Sequence, residues 1–267
     1  MSKPFVTRAP AEDEITALML LMSVYLDGSG QERDHSGTRP GWRDLERVIS
    51  EFLGGYTLEK KHVFDVIVNS TESAPKAYGV SLKTKGLGSA DNIRGLNESG
   101  RVYMELTNSP AKLWAPLKGE GIAESDFGDD SLAKQMGDSI LDTVHSWYEN
   151  YRYPYLDLRN SVHLVISYSD AITEPRLYQL HSFPLGFPDG ISWKFSSRKC
   201  LRGYDPDYPG EALFDWYGLS GGQLKYYPKA CNAIYSSRIF TLLSPRILSI
   251  TERSKAYWPE QWRNLSL

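Results

Sequence analysis

The sequence predicts an α/β fold with a β-rich second half, and three observations carry that prediction. Apolar residues recur with helical period over 12–25, 42–53 and 132–151. Strand-period runs lie between the second and third of these, over 62–85 and 101–108. From Asn160 onward short strand-like runs follow one another between Pro, Gly, Asp and Asn turns. The chain has 267 residues, 41% hydrophobic and 24% charged, enough to bury one large core. With no clear linker and no internal repeat, it reads as one domain over 1–267, a core at about 40–155 extended by a β-rich part at about 156–267. No apolar stretch approaches the roughly 20 residues that span a bilayer, and MSKPFVTRAPAEDE carries no apolar signal core, so a cytoplasmic protein with no membrane partner is expected. Cys200 and Cys231 are too few for a disulfide framework or a Cys-rich zinc site, in keeping with a reducing compartment.

Glu12 to about Tyr25 opens on acids that suit the positive end of a helix dipole, and ITALMLLMSVYL supplies its apolar side. DGSGQERDHSGTRPG then reads as an exposed loop, either mobile or able to close over a ligand. The second helix, Trp42–Leu53, has a stripe of Trp42, Leu45, Ile49, Phe52 and Leu53. At about 100° per residue, Arg43, Asp44, Arg47 and Glu51 fall away from that stripe, whereas Glu46 sits at its edge. Gly54-Gly55 ends the helix.

Beyond residue 85, GLGSADNIRGLNESG is too rich in Gly for a long helix, although Ser89 suits the cap of a short one. RVYMELTN, 101–108, reads as a third strand with Val102, Met104 and Leu106 on one face and Tyr103, Glu105 and Thr107 on the other. Pro110 and Pro116 bracket a short AKLWA piece. Asp129-Asp130-Ser131 starts the longest helix, whose stripe of Met136, Ile140, Val144, Trp147, Tyr148 and Tyr151 suits a central packing helix, or a dimer helix if its aromatic end is exposed. Later strands are placed at 162–168, 176–183, 191–197, 212–219, 223–228 and 237–243, with Ser220-Gly221-Gly222 as a hairpin connection.

The chain is organised around His62–Lys85, HVFDVIVNSTESAPKAYGVSLKTK, two strands joined by a polar loop. Ser81, Lys83 and Lys85 share one face of the second strand, and Tyr78, Val80 and Leu82 the other. On the first strand Asp65 interrupts the run VFDVIV. A carboxylate buried there needs a cation, either the Lys83 ammonium in a structural ion pair or a hard divalent ion such as Mg²⁺.

Asp65, fifteen intervening residues and then Ser81-Leu82-Lys83 resemble the nuclease signature P-D…(D/E)-x-K of many type II restriction endonucleases. Position 64 is Phe rather than Pro, and position 81 is Ser rather than an acid. The resemblance covers about two dozen of the 267 residues. It implies a central mixed β-sheet flanked by helices, and Mg²⁺-dependent cleavage of double-stranded DNA by a homodimer. Asp65, Ser81 and Lys83 would form the catalytic set, with Asp65, a helper Glu and the Leu82 carbonyl as metal ligands. In such enzymes a Glu from a preceding helix often approaches the metal, which selects Glu46; Glu98 and Glu105 are the alternatives. The same fold also implies two other readings, a catalytically inactive DNA-binding or interaction protein and a repair or transposition nuclease.

Net charge is −3, which disfavours a polyanionic partner until its distribution is considered. Acids concentrate at 120–142 and 205–215, whereas SSRKCLRGY, 196–204, is the most basic stretch and is read as following a strand. Arg198, Lys199 and Arg202 are therefore the expected DNA contacts, with Lys194, Lys225 and Lys229 as weaker choices. The chain has no H-E-x-x-H, no phosphate-binding G-x-x-x-x-G-K loop, no G-x-S-x-G and no dinucleotide fingerprint.

Overall fold

The computed structural model describes residues 2–34, 37–57, 63–70, 75–170, 175–245 and 249–265. His62, where the central stretch begins, and most of its polar loop, 71–74, lie outside the described residues, as do His35 and Ser36 of the Gly-rich loop.

Helix α1, Glu12–Ser23, starts as its acids predict: Glu14 accepts the Ala11 N–H at 2.8 Å and pairs with Arg8. The segment that follows is an anchored hairpin, β1 (Glu32–Asp34) against β2 (Gly37–Arg39). Asp34 meets Arg176 at 2.7 Å, and Thr38 Oγ1 donates to the Tyr25 carbonyl at 2.8 Å. Helix α2, Trp42–Leu53, has the expected bounds and ends at Gly54, whose φ of 61° only glycine adopts without strain. Two positions on it differ from the wheel. Trp42 is half exposed with Arg43 stacked on its ring, because the helix's first residue projects beyond the sheet. Asp44 is buried, because its carboxylate accepts the N–H groups of Gly41 (3.0 Å) and Gln31 (2.8 Å).

Next come β3 (Tyr56–Thr57), β4 (Val66–Asn69) and β5 (Ala77–Gly86). The short helices α3 (Ala90–Arg94, capped by Ser89) and α4 (Leu96–Ser99) lead to β6, Met104–Thr107. Helix α5, Pro110–Gly119, runs through Pro116 rather than stopping there, since Leu113, Trp114 and Leu117 must all be buried on one side of it. Helix α6 spans Ala133–Glu149, preceded by Asp129 accepting the Ser131 N–H at 2.9 Å.

The remaining strands are β7 (Val162–Tyr168), β8 (Leu177–Pro184), β9 (Ser192–Ser197), β10 (Cys200–Tyr204), β11 (Ala212–Trp216), β12 (Leu224–Tyr226), β13 (Tyr235–Ser236) and β14 (Phe240–Thr241). Helices α7 (Ile250–Tyr257) and α8 (Pro259–Arg263) follow. The basic stretch 196–204 is thus no loop: Arg198 and Lys199 form the turn of the β9–β10 hairpin, and Arg202 lies within β10. Its alternation was masked by charges on the solvent side.

Seven strands form a mixed central sheet in the order β13-β8-β7-β5-β4-β3, with β14 also on β8. Among the described strands only β5 and β7 pair in parallel, from Val80↔Val162 to Gly86↔Tyr168. A parallel neighbour requires a long crossover, and here the crossover carries α3 to α6. Helices α1 and α2 cover one face, where Leu18, Leu45 and Ile49 meet Val66, Val80, Leu82 and Leu164. Helix α6 and its neighbours cover the other, over Phe64, Ile67, Ala77 and Val165. The fold class is therefore as expected, a mixed sheet flanked by helices.

The segment 101–108 does not add a third strand to this sheet. β6 pairs with β12 and opens a separate five-stranded antiparallel sheet, β6-β12-β11-β10-β9. The chain beyond residue 156 is accordingly divided: β7, β8, β13 and β14 complete the central sheet, and β9 to β12 join β6 in the second. Helix α6 joins the two. Its first half packs on the second sheet, with Gly137 against the Trp193 indole, and Tyr148 near its end packs on Phe64 and His163 of the central sheet.

Candidate active site

The strand alternation predicted for β5 is realised. Tyr78, Val80 and Leu82 enter the core beneath α1 and α2, whereas Ser81 and Lys83 line a cleft of about 580 Å³ on the α6 side. Val63, Asp65, Leu106, Thr107, Lys112, Ser146, Trp147, Tyr148, Asn150 and Tyr151 complete its lining. The aromatic end of α6 thus forms a wall of the cleft.

Asp65 is placed by the start of β4. Its N–H donates to the Val80 carbonyl at 3.0 Å, and its Oδ2 accepts the Leu82 N–H at 2.7 Å. The carboxylate takes the next rung of the ladder, where β4 backbone would otherwise stand. The N–H and C=O of a strand residue point to the same edge, so the Leu82 carbonyl faces the Asp65 side too. Burial raises the Asp65 pKa, opposed by the nearby Lys83 ammonium and the Leu82 N–H.

Glu46, on α2, is not part of the cleft lining but feels the charges of two residues that are. Burial, and next the Asp65 carboxylate, push its pKa up to about 7, while Arg43, Lys83 and Arg47 oppose the rise. Glu46, Asp65 and Lys83 therefore act on one another although they come from three elements. The alternatives do not converge in this way. Glu98 is exposed on α4. Glu105 lies on β6 opposite Lys225, and its charge bears on Tyr103.

Ser81 is buried beside Tyr148, whose phenol bonds to its hydroxyl and is held protonated by burial. Directly across the parallel pair from Ser81 is His163, fully buried and edge-on to Tyr148. Neither His163 ring nitrogen has a hydrogen-bond partner among the described residues, and burial, then Lys83, lower its pKa to about 3. The imidazole is neutral and leaves Lys83 free for the cleft. Tyr148, His163 and Lys112 were not singled out from sequence. Tyr148 reads there as one more apolar position of a helix stripe, and His163 as a strand residue.

Among the described residues no group of three or more His, Cys, Asp or Glu side chains is placed to hold a metal ion. The oxygen donors nearest to such a set are the Asp65 carboxylate, the Glu46 carboxylate on which its charge acts, and the Leu82 main-chain carbonyl. Oxygen-only donors suit a hard cation such as Mg²⁺. Burial first, and then repulsion by Asp65, raises the Glu46 pKa, and a divalent cation between two carboxylates would relieve the second of these.

The expected DNA contacts fare differently. Arg198 and Lys199 are exposed at the hairpin turn, and Lys194 is exposed on β9. Arg202 is held by Asp215 in a bidentate pair at 2.7 and 3.0 Å, so its charge is neutralised within the sheet. Lys229 is buried, paired with Glu211 at 2.7 Å and donating to the Ser99 carbonyl at 3.1 Å; it secures the β6 entry and offers nothing to a ligand. Among the described residues no helix is long and apolar enough to cross a membrane. Comparison with family models, with curated proteins and with solved structures finds no match to this chain.

Proposed function

We propose that the protein is a Mg²⁺-dependent, sequence-specific deoxyribonuclease, cutting double-stranded DNA in the manner of the type II restriction endonucleases that its signature resembles. The observation that carries this reading is the open cleft in which Asp65, beside the Leu82 backbone, and Lys83 of β5 lie together, with Glu46 of α2 close enough to feel both charges. An ion pair with only a structural task would require neither Glu46 nor an open cleft.

Asp65, Glu46 and the Leu82 carbonyl would hold Mg²⁺, which supplies positive charge beside a phosphoryl oxygen and acidifies water. Lys83 orients the attacking water and places its ammonium where negative charge grows on the phosphorus oxygens. Lys112, at the rim beside Trp147, adds a second cation for a neighbouring phosphate. Ser81, tied to Tyr148, holds water rather than metal, since a hydroxyl lacks the charge of a carboxylate. Arg198 and Lys199 reach base edges from the hairpin turn. A palindromic target calls for a two-fold homodimer acting in the cytoplasm, each subunit cutting one strand.

The same Ser81 supports the second reading, a nuclease fold that binds DNA without cutting it. Incubating a mixed-sequence plasmid with Mg²⁺ and the protein, beside Asp65→Ala and Lys83→Ala and with EDTA, separates the two. Discrete fragments from the unaltered protein alone establish the nuclease. Intact plasmid under every divalent ion removes it.

A further inference from the structure

The outer face of the second sheet carries one charged residue per strand in a single row. Lys194 stands opposite Arg202, Arg202 opposite Asp215, Asp215 opposite Lys225 and Lys225 opposite Glu105. Directly opposed residues share a face, so the row runs across all five strands, while Trp193, Leu201, Phe214, Leu224 and Met104 fill the inner side.

Within this row Lys225 behaves unlike its neighbours. Asp215 is occupied by Arg202, and Lys225 forms no ion pair with Glu105 among the described residues. Its Nζ lies instead 4.5 Å from the Tyr217 ring centroid and 5.7 Å from that of Tyr103. A second ammonium approaches Tyr103: Lys85 Nζ, 4.3 Å from the ring centroid. Lys85 is on the same strand face as Lys83, two residues and about 7 Å further along β5. Tyr103 thus bridges the two sheets, with the site strand on one side and the charged row on the other. Tyr227 braces it edge-on at 5.5 Å. Two half-buried ammonium groups share one aromatic ring, and among the described residues no carboxylate forms an ion pair with either. Cation–π attraction offsets part of that repulsion, and an anion lying along the pair removes the rest.

We propose that Lys83, Lys85 and Lys225, with Tyr103 between the last two, form a continuous track for the phosphodiester backbone of DNA, running from the cleft onto the outer face of the second sheet. This rests on the nuclease reading for the identity of the polyanion. It places backbone binding on Lys85 and Lys225 rather than on Arg202, whose charge Asp215 cancels.

The test is fluorescence anisotropy of a labelled mixed-sequence duplex in EDTA, titrated at several salt concentrations, with plasmid cleavage in Mg²⁺ measured in parallel. Lys85→Gln/Lys225→Gln keeps the side-chain length and removes both charges. The expected result is at least a tenfold loss of affinity and a log K against log salt slope shallower by about 2, since each phosphate contact contributes about 0.9. Lys134→Gln, on the exposed side of α6, is expected to leave both unchanged. A thermal melt matching the unaltered protein excludes unfolding as the cause, and Tyr103→Leu, expected to weaken binding with both charges kept, provides a second variant. Cleavage by a protein whose affinity and slope ignore Lys85 and Lys225 overturns the track and leaves the nuclease reading standing. A track-dependent slope without cleavage under any metal overturns the nuclease reading and leaves the track standing. No salt-dependent binding overturns both.

Discussion

The backbone N–H of Leu82 donates to Oδ2 of Asp65 at 2.7 Å, across the point where β4 gives way to a loop. The bond orients the carboxylate, and the Lys83 ammonium favours its charge; burial disfavours it. Asp65→Asn keeps an acceptor for Leu82 and removes the charge. We expect that variant to melt above the unaltered protein without metal, because a half-buried charge has gone, and to lose at least about 10³-fold in cleavage, more than a single proton-transfer group contributes. Thermal melts and plasmid assays on one preparation check both.

Glu46 holds its proton to about pH 7, well above the range of an unfolded glutamate. The folded state therefore binds more protons than the unfolded state between those limits, and stability falls as pH rises through that window. Asp65, shifted the same way, adds to the fall. Melts from pH 4 to 8 without metal are expected to decline, and Glu46→Gln to flatten part of the decline. On the proposed reading Mg²⁺ would bind the folded protein with both carboxylates ionised, so it should raise the melting temperature most at pH 7–8. In Glu46→Gln that rise should shrink; an equal rise in both proteins removes Glu46 from the metal site.

The Lys83 charge acts on both Asp65 and Glu46, and Lys83 is not among the proposed metal donors. Lys83→Gln is expected to lower the cleavage rate by about 10²- to 10⁴-fold. The Mg²⁺-induced rise in melting temperature should survive it. That pairing separates the role of Lys83 from that of Asp65, whose loss should abolish both.

The joint between the two sheets depends on Gly137 of α6, where a Cβ would stand 2.0 Å from the Trp193 indole. In an exposed helix, Gly→Ala stabilises by about 1 kcal/mol. Here the sign should reverse: overpacking costs about 1–3 kcal/mol, and each kcal/mol is worth about 2–4 °C in a chain of this class. A melting temperature at or above that of the unaltered protein would mean that Trp193 yields readily.

Much of the fold is legible in the residues. Helix α2 has the predicted bounds because its apolar period and Gly54 are local signals. The faces of β5 follow from alternation alone, whereas the cleft shared by Asp65 and Lys83 needed the pairing of β4 with β5. Other features depend on distant partners. The β10 strand was hidden because Arg202 looks like a surface charge until Asp215 of β11 stands beside it. β6 reads correctly as a strand, but only the chain at 224–226 determines which sheet it joins. Asp44 reads as solvent-facing until Gln31 and Gly41 bring their N–H groups to it.

The sequence by itself determined the three long helices, most of the longer strands and the polar face of β5 with Lys83 on it, because periodicity and turn residues act over a few positions. Only the tertiary structure decided that the charges of Asp65 and Lys83 bear on Glu46, that Tyr148 lines the cleft, and that Lys85 and Lys225 meet at Tyr103. Those relationships join residues far apart in the chain. They arise when burial of the apolar faces brings α2, α6 and the second sheet around one end of β5, and no local pattern encodes that docking.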